Sequence, residues 1–165
     1  MKKIFMTLIV FVISAGIVIN ACNEKEATEP EESPYKNVTI THAGFDFSTG
    51  QAITDNWEDD DGQTIKWRPI GEPDWGGIWF RTAVSPNRTQ SLGEVNIGSI
   101  TSIDTVAAVW DTMPPPLSQN DVVIAQCIDG FVKFKVTAPV DTSSANSDWA
   151  VQVMYLFSTL PAFSK

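Results

Sequence analysis

His42 is the only histidine in this sequence, Cys22 and Cys127 are its only cysteines, and Glu58-Asp59-Asp60-Asp61 is its densest run of acid. Those residue types decide which reactions the chain could support. A Ser-His-Asp arrangement would have to pass through His42, and no G-x-S-x-G turn offers the serine. Zinc sites built from spaced Cys and His need more of both than the chain has, and neither a phosphate-cradling glycine loop nor an H-E-x-x-H motif is present. The acidic run invites a calcium reading, because hard cations take clustered carboxylates. Set against the EF-hand loop, however, the first ligand position falls on Trp57 and the twelfth on Arg68. The expectation is an acidic turn between strands, with no metal, no catalytic residue and no enzymatic activity. A glycosidase carboxylate pair stays formally open, as it does in any chain rich in acids.

Tryptophan is the less ordinary resource. Trp57, Trp67, Trp75, Trp79, Trp110 and Trp149 all follow the first third of the chain. Trp149 and Trp67 alternate with other apolar residues and read as core. In "EPDWGGIWF", Ile78 and Phe80 share one face of a strand, which leaves Trp79 on the other beside Arg81. An outward Trp next to glycines presents a flat apolar face for a sugar ring. Trp75, Trp79, Trp57 and Trp110 are therefore the candidate ligand-binding residues.

Cys22 belongs to a different chemistry. The chain opens with Lys2 and Lys3, continues through a largely apolar run from Ile4 to Ile19, and reaches Ile19-Asn20-Ala21-Cys22. A cationic start before an apolar core shorter than a bilayer span is the layout of a secretory signal peptide. The ending resembles the bacterial lipobox, with an aliphatic residue at −3, a small one at −1 and cysteine at +1. Asn20 departs from the usual small residue at −2. The lipobox implies that Cys22 carries acyl chains, which anchor the protein durably when more than one is present. Cys127 is then the single thiol of the processed chain.

Removing residues 1–21 takes away two lysines and no acid, leaving 9 basic against 20 acidic side chains, a net charge of −11. That balance argues against nucleic acid and against charge-driven binding to an anionic bilayer. Residues 22–36, "CNEKEATEPEESPYK", are too polar to bury the surface that ordering demands and read as a flexible acidic tether. An acidic stretch just after the lipidated cysteine also resembles the surface-export signals of some outer-membrane lipoproteins. Residues 37–165 amount to one domain.

The elements that would position these groups are strands. "DWAVQVMYLF" alternates Trp149, Val151, Val153, Tyr155 and Phe157 against a second, partly apolar face, as a central strand does. Shorter candidates are 38–41, 44–47, 64–67, 77–82, 94–97 and 103–106, rich in β-formers and bounded by Gly, Pro, Asn or Asp. In "DVVIAQCIDGFVKFKV", Asp129-Gly130 is the pair a two-residue hairpin turn favours. Closing the turn there sets Cys127 opposite Val132, Ala125 opposite Phe134 and Val123 opposite Val136 on one apolar face. Lys133 and Lys135 then face outward, and Cys127 becomes a small filler of the core. The fold class expected is all-β, an antiparallel β-sandwich, with a β-barrel as the alternative.

Taken together, the lipobox, the acidic tether, "GFDFSTG" at 44–50, "LGEVNIGSI" and the closing hairpin and strand are similar to families of small all-β bacterial lipoproteins. The early "FDFS" also resembles the HmuY-type haem-binding lipoproteins. That second resemblance implies haem held between two axial side chains, for which His42, Met113 and Met154 are the only plausible residues. No histidine-pair motif matches, so no ligand is carried over, and the cofactor expectation is none, with haem as the alternative.

These readings converge on a lipoprotein of the bacterial cell envelope, held at the outer membrane by the acyl chains on Cys22, with periplasmic and outward-facing orientations both open. Its partners would be the lipid bilayer and a glycan, polymer or protein ligand. A haem-binding lipoprotein or a structural envelope protein are the alternatives.

Overall fold

In the computed structural model, residues 33–53, 61–65, 77–111, 115–142 and 149–164 are described. They form an all-β domain of two antiparallel sheets. The strands are β1 (Lys36–Ile40), β2 (Phe45–Asp46), β3 (Gln51–Ala52), β4 (Gly62–Ile65), β5 (Trp79–Thr82), β6 (Thr89–Gly93), β7 (Val122–Gln126), β8 (Phe131–Val136) and β9 (Val151–Ser158). The first sheet has the order β1-β9-β8-β7-β6 and the second β3-β2-β4-β5. Among the described residues no helix is long and apolar enough to cross a membrane.

Alternation along each strand explains which side chains meet between the sheets. Val38 and Ile40 of β1 pair with Val153 and Val151 of β9, and Val132, Phe134 and Val136 of β8 share that face. From the second sheet come Phe45, Phe47 and Phe80. The two layers lock through rings: Phe47 lies 5.0 Å from Tyr155 and 6.3 Å from Phe134, and Phe80 lies 4.9 Å from Phe134, centroid to centroid. Such offset and edge-on pairs add to the burial of large apolar area. As the alternation of its sequence predicts, β9 is an interior strand.

The outer face of the first sheet is also covered. Ile103, Ile124 and Phe163 form a second apolar cluster, with Leu92, Ile100, Trp110, Phe131 and Leu156 packed around it. The cover is irregular: a 3-10 turn at Ile97–Ser99, a turn near 105–107, and the chain end, tied by Ile103 N–H to the Pro161 carbonyl at 2.8 Å and Phe163 N–H to the Thr101 carbonyl at 2.8 Å. The strands expected at 94–97 and 103–106 are therefore replaced by a cap. Ile100, Ile103 and Phe163 face the sheet without pairing in a ladder, while Val95 and Val106 are exposed. β6 carries no alternating apolar pattern, and it is an edge strand held by backbone pairing to β7.

The β7–β8 hairpin differs from its expected form by two residues. Gln126 pairs with Phe131 and Ala125 with Val132, so residues 127–130 form a four-residue loop closed by Cys127 N–H to the Gly130 carbonyl at 2.8 Å. A shift of two preserves the parity of the faces, and Cys127 stays inward, 2 % exposed in the main core. Gly130 does not take a positive φ. Its small size matters instead, because a β-carbon there would run into the Ser158 carbonyl oxygen and the Phe157 ring of β9.

Lys133 corrects the expectation more sharply. It does lie on the outer face, but the cap covers it and leaves it 3 % exposed. Its Nζ donates to the carbonyls of Ile97 (3.1 Å) and Ile100 (2.6 Å) and sits 4.9 Å from the Phe163 ring centroid. A buried ammonium is tolerated only when donors and charge are both answered, and carbonyl oxygens and an aromatic face do that here.

Candidate functional site

Those of the residues singled out by the sequence that are described are scattered. Cys22, Trp57, Trp67, Trp75, Met113 and the acids 58–60 lie outside the described residues. Trp79 does occupy the face of β5 opposite Ile78 and Phe80, yet it is 7 % exposed. Residues 115–117 run alongside this edge, with Leu117 N–H donating to the Ile78 carbonyl at 2.7 Å, and Trp79 tucks in beside Gly77. The outward stacking platform expected at Trp79 is thus a buried ring. Trp110 is half-buried against the second cluster, just after the exposed Val109. Met154 is half-buried on β9, and the His42 ring packs on Trp149 at 5.3 Å.

A constellation that sequence spacing did not reveal lies between the sheets. One carboxylate oxygen each from Asp46, Asp61 and Asp129 falls within 4.8 Å of the other two. Asp46 is on β2, Asp61 immediately precedes β4, and Asp129 is in the β7–β8 loop, so both sheets contribute. Pairing of Phe45 with Gly62 brings Asp61 beside β2, and its N–H donates to the Phe45 carbonyl at 3.1 Å. In return the Phe47 N–H donates to Asp61 Oδ2 at 2.9 Å. Gly62 permits this close approach, since a β-carbon there would overlap the Phe80 ring.

The three carboxyls have different environments. Asp46 is half-buried, which works to raise its pKa, but hydrogen bonds from Thr49 and Ser48 outweigh the burial and hold it below the usual carboxylate range. Ser48 Oγ donates at 2.7 Å, Thr49 N–H at 2.9 Å and Thr49 Oγ1 at 2.6 Å. Asp129 is exposed. Asp61, only 3 % exposed, is pushed up to about 7 by burial first and then by the charge of Asp129, against the lowering effect of the Phe47 N–H. Its protonated carboxyl hydrogen-bonds Asp129, and Asp46 adds like-charge repulsion. The arrangement sets a buried carboxyl, raised towards neutrality, beside two further acids.

Beside this turn a half-open cleft of about 250 Å³ lies between β1, β9 and the residues after β2, lined by Lys36, Ser48, Tyr155 and Phe157 among others. Tyr155 is buried under it, and its hydroxyl has no hydrogen-bond partner. Burial, then the charge of Asp46, raises its pKa. Asp61 belongs to the acidic run 58–61 that the sequence singled out, but no spacing in the sequence ties it to Asp46 or Asp129. Comparison of the chain with protein-family models, with curated proteins and with solved structures returns no match.

Proposed function

We propose that this protein is a lipid-anchored, non-enzymatic binding module of the bacterial cell envelope, tethered through acylated Cys22 and taking a glycan or other polymer as ligand. The observation that carries the anchor is the order Lys2-Lys3, apolar run, Ile19-Asn20-Ala21-Cys22, followed by an acidic stretch that ends where β1 begins. Acyl chains hold the protein at the bilayer, and the negative charge of the body keeps it from lying on anionic lipid. The ligand assignment is supported by Trp110, a half-buried ring at a loop, together with Trp57 and Trp75 in the sequence. Aromatic faces of this kind stack on sugar rings.

Two measurements test this. In cells fed labelled palmitate, the native chain should incorporate label and sediment with membranes, and Cys22→Ala should do neither; an unlabelled native chain would refute the anchor. In solution, titration with a panel of polysaccharides should quench tryptophan fluorescence. Trp110→Ala should weaken binding about fivefold to tenfold, the range expected for one aromatic contact. No spectral response to any glycan would refute the ligand class while leaving the anchor standing.

A further inference from the structure

We propose that Asp61 and Asp129 form a proton-gated clasp between the two sheets, closed when they share a proton and loosened when both ionise. The geometry supplies each part. Asp61 is buried at the start of β4, its Oδ2 is fixed by the Phe47 N–H at 2.9 Å, and its other partner, Asp129, sits on the exposed tip of the β7–β8 hairpin in the opposite sheet. Two carboxylates whose oxygens lie within 4.8 Å, one of them buried, repel strongly when both are charged, so the pair holds one proton or separates.

The groups facing the clasp strengthen this conclusion. From β2 comes Asp46, a third negative charge, whose own oxygens are already engaged by Ser48 and Thr49. From β9 comes the neutral phenol of Tyr155 and from β1 the ammonium of Lys36, both near the Gly50 turn that follows Asp46. Lys36 is not among the groups that set the proton affinity of Asp61, where burial and the two aspartates dominate over the Phe47 N–H. In sequence, acids 58–60 precede Asp61 and lie outside the described residues. Asp61 is thus the group that must neutralise, and between the ordinary carboxylate range and about pH 7 only the folded state holds its proton.

The sign follows from linkage. The folded-state affinity of Asp61 for its proton is raised, so the native state holds a proton that the unfolded chain releases above the ordinary carboxylate range. The contribution is complete below about pH 4 and is lost as pH rises towards 7. Across that window the folding equilibrium constant should fall by up to about tenfold per pH unit. Loosening should be felt first at the Phe47 amide and at the 127–130 loop.

The test uses the full chain in detergent and metal-free buffer. Urea denaturation between pH 4.5 and 8 should show stability declining with pH in the native protein. Asp61→Asn should flatten the slope and remain folded at pH 8, because the amide can donate to Asp129 and accept from Phe47 N–H at every pH. Asp129→Asn, which removes the repelling charge, should make the slope shallower. Hydrogen exchange, corrected for intrinsic rate, should show Phe47 protection lost towards pH 8 in the native protein and kept in Asp61→Asn. A native protein equally stable at pH 5 and pH 8, or an Asp61→Asn variant with the native slope, would overturn the clasp.

Discussion

Lys133 and Cys127 stand on the same hairpin and are both buried, but for opposite chemical reasons. Cys127 is apolar enough to serve as core, and its place in the main cluster, 2 % exposed, leaves its sulfur little access to solvent. Its reaction with a thiol reagent should be slower by about a hundredfold or more in the folded protein than in urea, because labelling must wait for opening of the structure. Fast labelling of the native state would contradict its place in the core. Lys133 is buried with the Ile97 and Ile100 carbonyls accepting from it and the Phe163 ring beside its charge. Lys133→Ala should cost about 2–4 kcal/mol in chemical denaturation, combining lost donors with a void. Lys133→Met, which keeps the apolar stem and gives up the charge, should cost less. Neither value could be foreseen from the hairpin sequence, since the covering residues lie more than thirty positions away.

At the scale of elements, the β7–β8 hairpin and β9 behave as one unit. Phe131 pairs with Ser158 and Val132 with Phe157, so the hairpin loop is fitted against the end of β9. Gly130 is the point of closest approach. Gly130→Ala should destabilise the domain by about 1–3 kcal/mol through overpacking against Ser158 and Phe157, read as a lowered urea midpoint. Asp129-Gly130 was correctly legible as a turn, but its type was not. Asp-Gly favours a two-residue loop by local backbone preference, whereas pairing with β9 fixes a four-residue loop. The strands expected at 38–41, 44–47, 64–67 and 77–82 overlap β1, β2, β4 and β5, and the hairpin and final strand are β7, β8 and β9. Alternation missed the two-residue β3 and also β6, where the backbone ladder to β7 does the holding. It also misread 94–106, because apolar residues facing a sheet need not belong to a strand.

Across the whole molecule, Phe47 is the residue through which the sheets communicate. It touches Phe45 and Phe80 in its own layer and Phe134 and Tyr155 in the other, and its N–H anchors Asp61. Phe47→Ala should therefore cost about 3–5 kcal/mol and also disturb the acidic pair, so its effect should be larger at pH 5, where the clasp is closed, than at pH 8. Urea curves of the variant at the two pH values would reveal that coupling; an identical loss at both would show that packing and the clasp are independent.

By itself the sequence determined the all-β class, the central position of β9, the inward face of Cys127 and the acidic character of the chain. These follow from period-two alternation and from composition, both of which are local. Only the tertiary structure decided that Trp79 is covered, that Lys133 is buried, and that Asp46, Asp61 and Asp129 share one site. Each of those depends on segments distant in sequence meeting across a sheet or between two sheets. No local spacing records such a meeting, because strand order and register are set by which apolar faces pack together.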